Sequence, residues 1–302
     1  MLETGNDVVD PHLSKSGDRL VFVRDMWDTN LWRVEGPQWT GPRSGPVKLI
    51  ASTREESAVD ISPDGQQLVF ASARSGGFEL WIASIDGSHL RRMTYFNGPE
   101  TGYPRWSPDG KRIVFNSYPG GQPAIFIMQA GNGRPWRRTD GEMPFWSEDG
   151  TWIYFLSNHA GSRALWKIPA DRGDPVKVTD IGATLLRPTD DGKDFLYEQD
   201  DSLWRRTRDG RTGELIAQDV LHGMWSPAKG GVCYLSYGLA ASFNVNCVDL
   251  TSRAVRRVAS LGSWPKVYGP PGFAISPDGK WIFYQRADQL ESNIMFSEAV
   301  PQ

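Results

Sequence analysis

The chain has 302 residues, of which 39% are hydrophobic and 23% charged, a composition typical of a globular protein with a sizeable core. Its net charge of −3 lacks the basic excess of nucleic-acid-binding surfaces, which argues against a direct nucleic-acid partner. No apolar run reaches roughly 18 residues, so no membrane span is expected in this segment. The first residues carry neither the charged nor the apolar region of a secretory signal.

A short turn motif recurs along the chain. Each copy is a Ser or Thr followed three residues later by Gly, ahead of an apolar stretch; the sixth copy, Ser226 to Gly230, is one residue longer. The copies end at Gly17, Gly65, Gly110, Gly150, Gly192, Gly230 and Gly279. Their spacings run from 38 residues (Gly192 to Gly230) to 49 (Gly230 to Gly279). A period near 44 residues is typical of the four-stranded blades of a β-propeller.

The copy Ser107–Gly110 shows the physical logic of the unit. Pro fixes the first corner of the turn, Asp bonds back to the local backbone, and Gly accepts a positive φ. An apolar strand follows at Arg112–Ser117, and a third strand at Ala124–Met128. Four short strands per repeat predict an all-β fold: one domain over residues 1–302, a seven-bladed β-propeller of four-stranded antiparallel blades, with six or eight blades as alternatives.

The two ends of the chain bear on how the ring closes. The first repeat spans Val8–Ile50, and the last begins at Gly272 with only three strands. A closed ring needs a further strand, which leaves two candidates, Met1–Glu3 or Glu298–Pro301. The shortness of the first candidate predicts that this chain is part of a longer protein.

The two cysteines are expected to face each other across a hairpin centred near Ala240. Directly opposed residues have Cα atoms about 4.5–5.5 Å apart, which is within reach of a disulfide. Two interpretations remain. The first, which the usual behaviour of buried cysteine favours, makes Cys233 and Cys247 two small unbonded hydrophobes; the second joins them in a disulfide.

The sequence contains no recognisable catalytic set. A nucleophile elbow, a zinc-protease helix and a phosphate loop are all missing from it. The repeated turn aspartates are expected to stabilise their own turns. His12 and His222 fall on or beside innermost strands, yet a zinc site wants at least three protein ligands. We therefore expect no catalytic residue, no metal and no cofactor.

The Ser-Pro-Asp-Gly turn, the apolar strand after it and the Leu-Trp or Ile-Phe third strand resemble the TolB-like (WD-like) β-propeller family over nearly the whole chain. Leu49–Glu55, Pro104–Val114 and Asp288–Met295 are similar to C-terminal propellers of bacterial regulators that carry a winged-helix or Ser/Thr-kinase domain upstream. The resemblance implies a non-enzymatic binding or scaffold module of a signalling protein or of a periplasmic TolB-like protein. An extracytoplasmic location is favoured, with a cytoplasmic one as the alternative.

Two enzymatic alternatives remain open at this stage. One is the substrate-gating propeller of a serine peptidase, and the other is a metal-dependent propeller lyase or hydrolase with His12 and His222 near the axis.

In a propeller, the loops after the second and fourth strands open on one face, beside the mouth of the central channel. Arginine and aromatic side chains there suit a carboxylate, a peptide or a glycan. The expected partner is accordingly a protein or a small ligand at the mouth. The residues predicted to bind it are Trp27, Arg74, Tyr103, Tyr118, His159, Arg187 and His222.

Overall fold

The computed structural model describes residues 8–16, 19–131, 133–158, 161–180, 185–207, 213–262 and 272–298. This part of the chain is almost entirely β-strand, with two short 3-10 turns at Pro119–Gly121 and Leu239–Ala241. The first three strands are β1 (Val8–Leu13), β2 (Arg19–Glu35) and β3 (Val47–Ile50).

Five antiparallel four-stranded sheets follow, each starting with its innermost strand. Blade 1 contains β4 (Glu56–Ile61), β5 (Gln67–Ser72), β6 (Glu79–Ser84) and β7 (Arg91–Arg92). Blade 2 contains β8 (Thr101–Trp106), β9 (Arg112–Ser117), β10 (Ala124–Gln129) and β11 (Trp136–Asp140). Blade 3 contains β12 (Glu142–Trp146), β13 (Trp152–Ser157), β14 (Ala164–Pro169) and β15 (Val176–Asp180). Blade 4 contains β16 (Leu185–Pro188), β17 (Asp194–Gln199), β18 (Ser202–Thr207) and β19 (Gly213–Ala217). Blade 5 contains β20 (Val220–Ala228), β21 (Gly231–Tyr237), β22 (Phe243–Asp249) and β23 (Val255–Leu261).

Both ends of the chain build the sixth blade. Its inner strands are β24 (Phe273–Ile275) and the first part of β25 (Trp281–Glu298). Its outer strands are the last part of β2 and then β3, because β2 pairs with β25 from Glu35↔Trp281 onward. Both expected closing segments are thus wrong: strands from the N-terminal repeat pair with the C-terminal repeat, and this pairing protects the edges of both.

Six apolar clusters hold the ring together, one at each interface between neighbouring blades. The cluster between blades 1 and 2, for example, packs Val69 against Phe115, both fully buried. The cluster between blades 6 and 1 packs Phe283 against Phe70. Because the last interface joins the final blade to the first, the apolar core runs around a closed ring.

The all-β class and the propeller of four-stranded antiparallel blades are confirmed. The described strands form six sheets, which is the six-blade alternative of the sequence analysis. The repeat count exceeds the sheet count by one because the first and last repeats share one blade. The inner strand of the first repeat, β1, lies outside the ring.

Beyond the ring, β1, the start of β2 and the end of β25 continue as a three-stranded ribbon. Its apolar side chains are largely exposed, with Ile294 at 79% and Phe296 at 56%. His12 lies on this ribbon, opposite Val21, and not at the axis. A metal site shared by His12 and His222 is therefore wrong, because only His222 lies on an inner strand of the ring.

Five of the repeated turns share one hydrogen-bond pattern, and these turns define the turn face of the ring. In blade 1, the Ser62 hydroxyl donates to Asp64 Oδ1 (2.6 Å), and Asp64 accepts the backbone N–H of Gln66 (3.0 Å). The turns also pack on one another: a Cβ at Gly110 would lie 3.7 Å from Cδ of Pro63 in the preceding blade. The structural role predicted for the turn aspartates is confirmed.

The predicted hairpin in blade 5 is confirmed, with Cys233 directly opposite Cys247. The two are joined in a disulfide, so the favoured interpretation as unbonded hydrophobes is wrong. Direct opposition across the strand pair places the two sulfurs within bonding distance. The tendency of buried cysteines to stay unbonded does not take this proximity into account.

Candidate functional site at the channel and its mouth

One position recurs on the inner strands, two residues before each turn, and its apolar members pack between the blades. The six residues at this position are Asp60, Arg105, Phe145, Arg187, Met224 and Ala274. Three of them are charged, and they come from blades 1, 2 and 4. Their mutual electrostatic effects show that these charges converge at the axis.

Arg187 reaches across the channel. Its Nη1 donates to the backbone oxygen of Phe273 in blade 6 (3.4 Å), and its guanidinium lies 5.3 Å from the Trp225 ring. The side chain is only 7% exposed. Its Nε and Nη2 have no hydrogen-bond partner among the described residues. Burial, reinforced by repulsion from Arg105, holds the pKa of Arg187 well below its usual range.

Asp60 and Arg105 complete the charged group inside the channel. Oδ2 of Asp60 accepts the backbone N–H of Trp106 (2.8 Å), and Nη1 of Arg105 donates to the Pro104 carbonyl (2.7 Å). Burial raises the pKa of Asp60 despite the nearby arginines, and burial lowers the pKa of Arg105. Both side chains keep partial exposure, so solvent reaches this level of the channel.

Two tyrosines lie nearer the opposite face, the loop face, where the inner strands begin. Tyr103 has a φ of 54° at an irregularity in β8, and burial raises its pKa to about 12. The Tyr118 hydroxyl donates to Glu142 Oε2 (3.2 Å), and burial together with that carboxylate raises its pKa. Arg163 pairs with the other oxygen of Glu142 (2.8 Å).

His222 lies on the same face in blade 5. Its Nδ1 bonds Glu198 Oε1, and this hydrogen bond raises the pKa of the imidazole. The second oxygen of Glu198 accepts the backbone N–H of Gly223 (2.8 Å) and the Trp225 indole N–H (2.9 Å). Glu198 is buried, whereas the His222 side chain is 54% exposed. The buried carboxylate therefore holds the imidazole in place at the solvent-exposed surface.

Arg74 lies at the blade 1 edge of the loop face. Its Nη2 pairs with buried Glu56 (2.6 Å), its Nε donates to Ser72 (3.0 Å), and its guanidinium lies 5.2 Å from the Trp81 ring. These contacts hold Arg74 in a structural ion pair.

The predicted residues thus divide into groups. Tyr103 and Arg187 join the axial charges, while Tyr118, His222 and Arg74 lie in separate ion-paired clusters on the loop face. Trp27 lies in the ribbon part of β2, and its side chain falls outside the described residues, as does His159 entirely.

Sequence reasoning missed Asp60, Arg105, Glu142 and Glu198. Asp60 and Arg105 had a signal, because they occupy the same position before the turn as Arg187. Glu142 and Glu198 had none, because Tyr118 lies in the blade before Glu142 and His222 lies in the blade after Glu198.

The site presents guanidinium, imidazole and phenol groups that can form hydrogen bonds and ion pairs. Within the described ranges, no cluster of three His, Cys, Asp or Glu side chains could hold a metal ion. Across the same ranges, no helix is long and apolar enough to cross a membrane.

Residues 43–143 match the family model of the TolB beta propeller domain. The chain is 33% identical over 131 residues to a TolB homologue of Chlorobium chlorochromatii, which covers 41% of this chain and 29% of that protein. It is 31% identical over 115 residues to YuxL, an uncharacterized peptidase of Bacillus subtilis, covering 35% of this chain and 17% of that one. The chain therefore spans less than a third of either relative.

Among solved structures, a chain assigned to TolB of Agrobacterium tumefaciens superposes with a TM-score of 0.66. That superposition covers 87% of this chain and 99% of the other at 19% identity. At this identity the likeness shows the fold alone.

Proposed function

We propose that this TolB-like β-propeller is a non-enzymatic binding module that takes a peptide segment of a protein partner, or a small ligand, at the loop-face mouth. The observation that carries the proposal is a set of polar side chains at the mouth that two carboxylates hold in place, partly exposed Glu142 and buried Glu198. Glu142 positions Tyr118 and Arg163, and Glu198 positions His222. Fixed donors around a concave opening suit recognition because little side-chain freedom is lost on binding.

The test is selection of binders with a defined probe. A random 12-residue peptide library is selected against the wild-type protein, and the winners are measured by calorimetry on variants. Tyr118→Ala and His222→Ala are expected to weaken the selected peptides at least tenfold. Lys111→Ala, a matched truncation on the turn face, is expected to change nothing. Equal binding to all variants, or loss only with the turn-face variant, contradicts the proposal.

The proposal also covers the cellular compartment of the domain and the kind of protein to which it belongs. The Cys233–Cys247 disulfide supports an oxidising compartment, because such bonds are rare in the reducing cytosol. We infer an extracytoplasmic binding domain belonging to a longer regulatory or TolB-like protein. Thiol labelling of the protein in intact cells tests the compartment: blocked cysteines support it, and free cysteines argue against it.

A substrate-gating propeller of a serine peptidase is the second candidate function. The match to the Bacillus subtilis peptidase favours it, although that match covers 17% of the relative. A G-x-S-x-G nucleophile elbow elsewhere in the parent reading frame would support this candidate. A frame that encodes a DNA-binding or kinase domain instead would exclude it.

A further inference from the structure

We propose that the channel is a carboxylate-binding site in which Arg187, assisted by Arg105, holds one carboxylate group of the ligand. This inference rests on the proposed function and deepens it. It names the chemical group that passes beyond the mouth and the side chain that receives it.

The Arg187 guanidinium has one free edge. Nη1 is engaged by the Phe273 carbonyl, whereas Nε and Nη2 have no hydrogen-bond partner among the described residues. These two nitrogens form one side of the planar fork and point two N–H bonds in parallel. A carboxylate matches that side with its two oxygens, the bidentate pairing that arginine favours.

The free edge belongs to a buried side chain. Arg187 is 93% buried, since 7% of its surface is exposed, and an unpaired charge is costly at such a position. Native proteins satisfy nearly all buried donors, so two unsatisfied donors on one cation favour an acceptor from a ligand. Arg105 and Asp60 at the same level are partly exposed to solvent.

The two acids near Arg187 are already engaged elsewhere. Asp60 is committed to the Trp106 backbone, and Glu198 bonds His222, Gly223 and Trp225. Neither acid bonds Nε or Nη2 of Arg187, so these two N–H groups are open to a carboxylate that the ligand supplies.

The carboxylate can be a peptide C-terminus or an Asp or Glu side chain. Three probes separate these sources: triglycine with a free C-terminus, triglycine amide, and N-acetyl-glutamate amide. Each is titrated by calorimetry into the whole protein at fixed ionic strength, with chloride, inorganic phosphate and acetamide as comparison solutes. Free triglycine or the glutamate probe is expected to bind saturably with one site. Triglycine amide and acetamide are expected to show no binding.

Arg187→Gln is expected to weaken the bound probe at least tenfold. Arg256→Gln is the matched control: this exposed arginine on the outer strand of blade 5 donates to the Pro37 carbonyl (3.3 Å). It is expected to bind like the wild type. Should Arg187→Gln fail to fold, the wild-type comparison of acid with amide still decides the question.

The outcomes separate the two proposals. Selected peptides that lose binding on amidation or on Asp→Asn and Glu→Gln exchange support the carboxylate site. Selected peptides that depend on Tyr118 and His222 but bind Arg187→Gln equally well overturn the carboxylate site and leave the proposed function intact. Equal binding of chloride and the acid probes, or no probe binding by the wild type, also overturns it.

Discussion

The channel mouth and the channel interior handle their charges in opposite ways. At the mouth three acids of the described chain each have a cationic partner: buried Glu56 has Arg74, partly exposed Glu142 has Arg163, and buried Glu198 has His222. Inside, Arg187 has a backbone carbonyl and a stacked indole but no carboxylate on its free side. The ion pairs hold the side chains at the mouth in place, whereas we expect the binding of an anion to stabilise the folded protein through Arg187.

The largest effect expected from this contrast comes from breaking a mouth pair. Glu198→Ala leaves the Trp225 indole N–H and the Gly223 N–H unsatisfied in the interior. We expect a loss of about 4 kcal/mol in the free energy of unfolding, measured by urea denaturation. Glu214→Ala removes an exposed acid that pairs with Arg253 and is expected to cost well under about 1 kcal/mol. Similar losses for both would show that the buried pair is not structural.

Removal of the disulfide is expected to change the stability of the protein without altering the channel mouth or the channel interior. Cys233→Ala combined with Cys247→Ala opens a loop with a sequence separation of 14. We expect a loss of about 3 kcal/mol in unfolding free energy under oxidising conditions, with ligand affinity unchanged in the folded protein. Reduction of the wild type is expected to give the same loss. An unchanged unfolding midpoint after reduction would contradict the account.

Arg187→Met should act with the opposite sign to Glu198→Ala. Replacing an unpaired buried cation by an apolar side chain of similar length removes its desolvation cost. We expect the ligand-free protein to gain about 1 kcal/mol in unfolding free energy. A loss of more than about 2 kcal/mol would show that Arg187 is already satisfied and would contradict the contrast between mouth and interior.

The smallest effect is expected on the turn face, where charges have only local partners. Hydrogen bonds from Ser147 and Thr151 lower the pKa of Asp149 to about 2. The unfolded group titrates near about 3.9, so its stabilising contribution is present above that pH and is lost as pH falls toward about 2. Asp149→Asn should flatten acid unfolding between about pH 4 and 2 by a few tenths of a kcal/mol, given its exposure. An unchanged acid profile would contradict the role of this turn.

The local structure could be predicted from the sequence because its causes are local. The Ser147–Gly150 turn follows from the bond of Asp149 to Ser147 and from the positive φ that Gly150 accepts. The opposition of Cys233 and Cys247 follows from a symmetric hairpin. Ring closure could not be predicted, because nothing within residues 19–35 indicates that they pair with residues 281–298.

The candidate site divides in the same way. Arg187 and Tyr103 could be predicted as channel residues because they lie on the innermost strands of their repeats. Glu198 could not, because its partners His222 and Trp225 come from the next blade, and adjacency across blades leaves no mark in the local sequence. Trp27 and His159 stay predictions.

Arginine side-chain signals in a 15N-proton spectrum report directly on whether the free side of Arg187 binds a carboxylate. The Nε–H resonance of Arg187, assigned by its loss in Arg187→Lys, is followed as acetate replaces chloride at constant ionic strength. We expect a saturable downfield shift of this resonance while that of Arg256 stays fixed. A resonance of Arg187 that does not move, or that moves equally with chloride alone, would contradict the proposed carboxylate site.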